Sequence, residues 1–228
     1  MNTMILLSGG IDSTVCLALA VNKFTSNNVL ALNVFYGQKH SKEVKAAGNI
    51  TKFYNVRMLS LDLSKMFSGL SRCSLLSESE SEIQEGSYNE QISETKILPS
   101  TYVPFRNGVF LSLAASVAMA NNCDKVCYGA HLDDVVNSSV YPDCSQYFYN
   151  SFSDAIYVGS GGNLTVLAPF IDKCKADIVR EGLKIGVPFG LTWSCYVGRE
   201  KACGKCATCL DRKMAFALNG VLDPIDYE

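Results

Sequence analysis

Two groups of residues have types and spacings that could do chemistry. Near the start of the chain, Leu7-Ser8-Gly9-Gly10-Ile11-Asp12-Ser13-Thr14 follows an apolar run and opens a helical pattern. Paired glycines let the backbone turn tightly, and their unpaired N–H groups, with the positive end of the following helix, make an anion site. Ser8 and Ser13 add hydroxyl donors, and Asp12 could hold a metal ion or orient the loop. The segment lacks both the Gly-Lys-Ser/Thr ending of a Walker A loop and Gly-x-Gly-x-x-Gly spacing. A loop lysine is dispensable if amides and hydroxyls cradle a leaving pyrophosphate while Mg²⁺ shares its charge. The plain alternative is a glycine turn that caps a helix, which would explain Gly9, Gly10 and Ser13 alone.

Toward the other end, Cys195, Cys203, Cys206 and Cys209 are close enough in sequence to converge on one ion. Four thiolates with none missing describe a closed, structural Zn²⁺ site rather than a catalytic one. A redox Cys-x-x-Cys pair and an iron–sulfur cluster are the rival uses, and the overlapping pairs plus Cys195 favour zinc over both. The other six cysteines, at positions 16, 73, 123, 127, 144 and 174, mostly lie in apolar contexts where core packing is the default.

Positioning these groups requires regular elements, and the hydrophobic pattern supplies them. Met4 to Leu7, Val29 to Phe35 and Val56 to Leu61 are short apolar strands, separated by helical patterns from Asp12 to Phe24 and from Ser41, a candidate cap, to Tyr54. Further along, a helix is expected over 109–120, a strand over 125–130, a helix over 147–156, a strand over 164–167 and a helix over 176–185. A short terminal helix is expected from about Leu210. The alternation predicts an α/β fold: a parallel five-stranded Rossmann-like sheet with helices on both faces and its ligand site at the carboxyl ends of the strands. Residues 64–100 are rich in Ser, Glu, Gln and Asn and read as a polar insertion or lid within a nucleotide-binding domain over 1–190; residues 191–228 read as a small metal module.

Composition narrows the function. A chain of 228 residues with a net charge of -2 has no basic footprint for neutralising nucleic-acid phosphates, which favours a small substrate. No apolar run approaches the length of a membrane span, and Met1 to Met4 leads into a strand without a basic n-region, so a cytoplasmic location is expected.

The loop resembles the Ser-Gly-Gly-x-Asp-Ser motif of the PP-loop ATP pyrophosphatases, in which the loop grips the pyrophosphate while a substrate oxygen attacks the α-phosphorus. Three more segments are similar to the QueC (ExsB-type) family, the 7-cyano-7-deazaguanine synthases: Tyr36-Gly37-Gln38-Lys39-His40, Val103-Pro104-Phe105-Arg106-Asn107 and Tyr141-Pro142-Asp143-Cys144. The stretch Leu191 to Tyr196, running into the cysteines, is also similar, so the resemblance spans the chain except for residues 64–100. It implies an ATP-dependent ligase that turns 7-carboxy-7-deazaguanine and ammonia into the nitrile, and it implies a homodimer. Phe105 departs from the pattern, since a small residue is expected there, and could reshape the pocket beside the nucleotide.

Several residues remain as candidates. Asp143 could accept hydrogen bonds from the deazaguanine, with Tyr141 beside it, or could cap the helix after Ser145. Asp133 and Asp134 could position Mg²⁺ or ammonia, or could be solvated loop residues. Arg106 and Lys175 are candidate phosphate contacts, Lys175 with Ser8, Asp12 and Ser13 a candidate for the chemistry, and Gln38 and His40 could border the nucleotide. His131 could simply satisfy a backbone group, and Trp193 could pack the metal module on the core or wall a flat base. Two other functions share these features: an adenylating enzyme acting on tRNA or a protein carboxyl end, and a zinc-bearing binding module without catalysis.

Overall fold

Apolar runs too short for helices and bounded by glycine or polar turns become the strands, and the amphipathic stretches between them become the crossovers that a parallel sheet requires. In the computed structural model, which describes residues 2–69, 73–95, 98–133 and 141–228, the strands are β1 (Asn2–Leu6), β2 (Val29–Phe35), β3 (Arg57–Asp62), β4 (Cys123–Cys127) and β5 (Thr165–Leu167). All pair in parallel, in the order β3-β2-β1-β4-β5. The helices are α1 (Ile11–Phe24), α2 (Lys42–Tyr54), α3 (Ser64–Phe67), α4 (Tyr88–Thr95), α5 (Arg106–Ala120), α6 (Gln146–Gly159), α7 (Lys175–Lys184) and α8 (Ala207–Leu218).

Strand alternation divides the core in two. Ile5, Val29, Ala31 and Cys127 face α1, α2, α7 and α8, where Val15, Leu17, Ile50, Ile178 and Phe216 pack. Met4, Leu30, Leu32, Val126 and Val166 face the other way, onto Leu111, Ala114 and Ala118 of α5 and Ile156 of α6. The sheet is therefore covered on both faces, as expected. The central strands are buried along nearly their whole length, whereas the edge strand β3 is partly exposed at every residue. Among the described residues no helix is long and apolar enough to cross a membrane.

The described residues between 64 and 100 are more ordered than the segment's composition predicts. They carry α3 and α4, and Phe67, Cys73, Leu75 and Leu76 form a small cluster with Tyr36 and Val103. Backbone bonds from Lys39 to Leu75 and from Gly86 to Lys205 lace this segment between the loop after β2 and the cysteine-rich region.

Two helix starts differ from expectation. Ser41 makes no side-chain cap for α2; the Lys42 N–H donates to Nδ1 of His40 instead, at 3.3 Å. Helix α5 begins at Arg106, three residues before its apolar pattern, and its N-cap residue Phe105 is left-handed with φ 54°. That conformation explains why a small residue is expected there: only glycine enters it without a side-chain penalty. The ring of Phe105 turns outward, 52% exposed, and packs edge-on against Phe148 and Phe152 of α6. It does not line the pocket, which corrects the expectation that it reshapes it.

Candidate active site

The chain leaves β1 into α1 on one face of the sheet and leaves β4 toward α6 on the other. The carboxyl ends of β1 and β4 thus form the switch point at which such sheets open a crevice. A cleft of about 230 Å³ lies there, lined by the loop after β1, the starts of α2, α5 and α7, the residues after β4, and Trp193, Ser194 and Tyr196.

One wall is the glycine loop. Gly9 has φ 99°, and a Cβ on it would lie 2.3 Å from the Glu43 carbonyl oxygen, so only glycine allows α2 to pack this closely. The two serines brace the turn: the Ser8 and Ser13 hydroxyls are 3.0 Å apart, the Ser8 N–H donates to Ser13 Oγ, and the Gly10 N–H donates to Ser8 Oγ. Thr14 Oγ1 donates to the Gly10 carbonyl at 2.6 Å, while Ile11 is fully in the core. Gly10 is the N-cap of α1, and no side chain caps that helix end. Leu7, Ser8, Gly10, Asp12 and Ser13 line the cleft, and Gly9, Ile11 and Thr14 shape the loop behind it. A second close approach fixes Gly129 after β4, where a Cβ would meet Asp12 and Ser13 at 3.0 Å.

Charges converge on the loop. Lys175, the first residue of α7, places Nζ 3.1 Å from Asp12 Oδ2, and His131 Nε2 is 3.7 Å from the same oxygen. Burial works to raise the Asp12 carboxyl, but the Lys175 ammonium and His131 more than offset it and hold it below the ordinary value. Asp12 Oδ1 is buried without a hydrogen-bond partner among the described residues.

The remaining lining is aromatic. Arg106 donates to the Tyr36 hydroxyl at 3.3 Å and lies over its ring. The Tyr88 and Tyr196 hydroxyls are 2.8 Å apart, and Tyr141 shares a 2.7 Å bond with Thr101. Gln38 lines the cleft and turns Oε1 back to accept the Tyr36 N–H. Glu43, in the first turn of α2, also lines it; burial pushes its carboxyl up to about 7, against the pull of the Arg106 guanidinium.

Two of the predicted acidic residues, Asp143 and Asp133, bond to amides at helix starts. Asp143 Oδ2 accepts the Asn107 N–H at 2.8 Å, closing the start of α5, and Ser145 is the residue that caps α6. Asp133 Oδ2 accepts the Lys175 N–H at 2.7 Å and borders a second cavity that shares Tyr88, Lys175 and Asp211 with the cleft. Asp143 and Asp133 do not line the main cleft, and Asp134 lies outside the described residues. His40 packs against Gly198 of the cysteine loop and does not border the cleft. Sequence reasoning missed Glu43, Tyr36, Tyr88, Tyr196 and Asp211. Tyr36 and Tyr196 left a signal in lying within the family-like segments, and Glu43 in being the first acidic residue after Gln38 on a helix that starts at a strand's carboxyl end.

The four cysteines converge as predicted. Their sulfurs all lie within 4.8 Å of one another, all four residues are buried, and Cys203 and Cys209 Sγ are 3.9 Å apart. Thiolates about 2.3 Å from a tetrahedral ion would be about 3.8 Å apart, so the set fits a metal. N–H groups of Cys203, Lys205 and Cys206 point at sulfurs, as thiolates require. Trp193 joins this centre to the loop: its N–H donates to the Gly9 carbonyl and its indole to the Cys195 carbonyl, each at 2.9 Å. Behind them Arg212, 1% exposed, pairs with Asp223 through two nitrogens and reaches Thr192 and Phe189.

Fold and loop together define a PP-loop nucleotide-binding α/β protein. Two solved structures share that architecture. The U34-tRNA thiolase NcsA from Methanococcus maripaludis, with its [4Fe-4S] cluster, has a TM-score of 0.50 at 17% identity, covering 82% of this chain and 58% of that one. The NMN synthetase from Francisella tularensis has a TM-score of 0.50 at 13% identity, covering 96% and 77%. At such identities these likenesses concern the fold alone. The chain belongs to the QueC family, whose description, Queuosine biosynthesis protein QueC, matches residues 2–220. Among its curated relatives, the 7-cyano-7-deazaguanine synthase of Archaeoglobus fulgidus is 42% identical over 99% of this chain and 90% of its own length. That of Oceanobacillus iheyensis is 37% identical over 98% of this chain and 97% of its own length.

Proposed function

We propose that the chain is an ATP-dependent ligase converting 7-carboxy-7-deazaguanine and ammonia to 7-cyano-7-deazaguanine, with AMP and pyrophosphate as the other products. One observation carries this reading: the family match spans residues 2–220 and includes a phosphate loop left open at the sheet's switch point. A carboxylate oxygen is a poor leaving group until it is adenylated; ammonia then displaces AMP to give an amide. Adenylating the amide oxygen lets it depart as a second AMP, leaving the nitrile. Both activations place a substrate oxygen in line with the same α-phosphorus, so one loop serves twice.

In this reading residues 1–190 carry the nucleotide chemistry and 191–228 the metal module. Ser8, Gly9, Gly10 and Ser13 hold the pyrophosphate, Lys175 and Arg106 balance phosphate charge, and Gln38 borders the nucleotide. Tyr141 and its aromatic neighbours wall the flat base, while Asp143 and Asp133 act by fixing the starts of α5 and α7. Asp12 Oδ1 is an oxygen donor suited to Mg²⁺, which when bound neutralises phosphate charge. The four thiolates suit Zn²⁺ in a structural role, holding Trp193 against the loop. Substrates are small molecules, nucleic acid and membrane take no part, and the protein works in the cytoplasm as a homodimer.

Incubation with ATP, Mg²⁺, ammonia and the carboxy-deazaguanine should yield AMP and the nitrile by mass spectrometry. Absence of substrate-dependent AMP overturns the reading. Elemental analysis should find about one zinc per chain; less than about half an equivalent, or a brown iron chromophore, contradicts zinc.

A further inference from the structure

The proposed reaction makes unequal demands on protons. Adenylating a carboxylate moves none, because the attacking oxygen is already ionised. Every later stage strips a proton from nitrogen. When ammonia attacks the acyl adenylate, a C–N bond forms, an N–H proton must leave, and the C–O bond to AMP breaks. When the amide oxygen is adenylated, the cationic N–H₂ group loses one proton; the remaining N–H loses another as the C–O bond breaks and C≡N forms. A base beside the substrate nitrogen is needed three times over, and none of the residues assigned above supplies it.

Among the described residues, three carboxylates and one imidazole line the cleft: Asp12, Glu43, Asp211 and His131. Asp12 and His131 are committed to each other and to Lys175. Asp211 lies where the cleft meets the second cavity. Glu43 differs from these. It is half-buried, it starts from a helix turn whose carbonyl abuts Gly9, and its carboxylate makes no hydrogen bond or ion pair with the described residues. The nearby cation acting on it is Arg106, which is occupied with Tyr36. A carboxylate anchored to the phosphate loop, lining the cleft and not engaged elsewhere among the described residues, is available for proton transfer from a substrate nitrogen.

We propose that Glu43 is the general base of the nitrogen steps, accepting the N–H proton from attacking ammonia and then those of the adenylated amide. The inference rests on the ligase reading above. Each of the three protons taken by the carboxylate is returned to solvent before the next is accepted, so no further reactant is required.

The test separates the two kinds of step in the full-length protein. Glu43→Gln keeps the shape and removes the base. Pyrophosphate exchange into ATP driven by the carboxylate substrate should stay within about threefold of the parent, whereas conversion of the isolated amide to nitrile should fall by roughly 10²- to 10⁴-fold. Glu43→Asp should recover part of that loss. An equal fall in both measurements would assign Glu43 to binding or packing and overturn the proposal, as would nitrile formation at the parental rate. The same split appearing in Asp211→Asn and not in Glu43→Gln would also overturn it. Failure of the unmodified protein to make nitrile would instead refute the ligase reading.

Discussion

Helices α1 and α5 both begin at the cleft, yet their first turns are finished in opposite ways. Helix α1 starts at Gly10 with no side chain closing it, and its amides and dipole are left for an incoming anion. Helix α5 starts behind a left-handed Phe105, and a carboxylate from 36 residues away, Asp143, accepts the Asn107 N–H. One end has no side-chain cap among the described residues, and the other is closed by a carboxylate. On the proposed function, this difference would direct phosphate to α1 and leave α5 to present Arg106 from a fixed position.

The largest effect should come from disturbing the open end. Lys175→Met removes the cation beside the loop and should lower kcat/KM for ATP by roughly 10²- to 10³-fold, measured by AMP release. The same variant tests the electrostatics. A carboxyl held below its ordinary value of 3.8 contributes stability that is present above that pH and lost as pH falls through the lowered value. Without Lys175, burial of Asp12 is opposed by less, so the acid loss of stability should begin at higher pH than in the parent, followed by thermal melts across about pH 2 to 6, a window of roughly two pH units either side of the ordinary carboxylate value.

Disturbing the closed end should cost less activity and more stability. Asp143→Ala strands a buried N–H and should destabilise by about 1 to 3 kcal/mol, with a modest rise in KM for the carboxy-deazaguanine. A loss of substrate affinity of about a hundredfold without a change in Tm would mean that Asp143 contacts the base directly, and the contrast between the two helix ends would fail. The smallest effect belongs to Phe105→Gly. It relieves a left-handed strain of about 1 to 2 kcal/mol but gives up two edge-on aromatic contacts worth about 0.5 to 1.5 kcal/mol each. The net change should lie between about 1 kcal/mol of stabilisation and about 2 kcal/mol of destabilisation, and kcat should stay at the parental value, because the ring faces away from the cleft.

The same contrast explains what could be read in the sequence. The five strands, their order of appearance and the open loop all follow from short-range signals: apolar runs, glycines and serines a few residues apart. The cysteine centre was equally visible, since Cys203, Cys206 and Cys209 lie within one turn of chain. Asp143 was visible as a residue of interest but not in its role, because nothing local to it says that the amide it caps belongs to Asn107. Most of the aromatic wall was hidden for the same reason: Tyr141 stood out beside Asp143, but Tyr36, Tyr88 and Tyr196 come from separate segments and meet it only in the folded chain. The polar composition of residues 64–100 concealed α4 and Tyr88, because that segment packs through a few scattered apolar residues without helical or strand period.

The bond from the Trp193 N–H to the Gly9 carbonyl makes two distant chemistries share one peptide unit. Whatever free energy the four-thiolate centre lends to that contact is felt at the phosphate loop, and linkage requires the exchange to be mutual. ATP analogues should therefore slow the escape of metal to a chelator, and chelation should weaken nucleotide binding by the same factor. A cell short of the metal would then lose the enzyme's grip on nucleotide before it lost the fold.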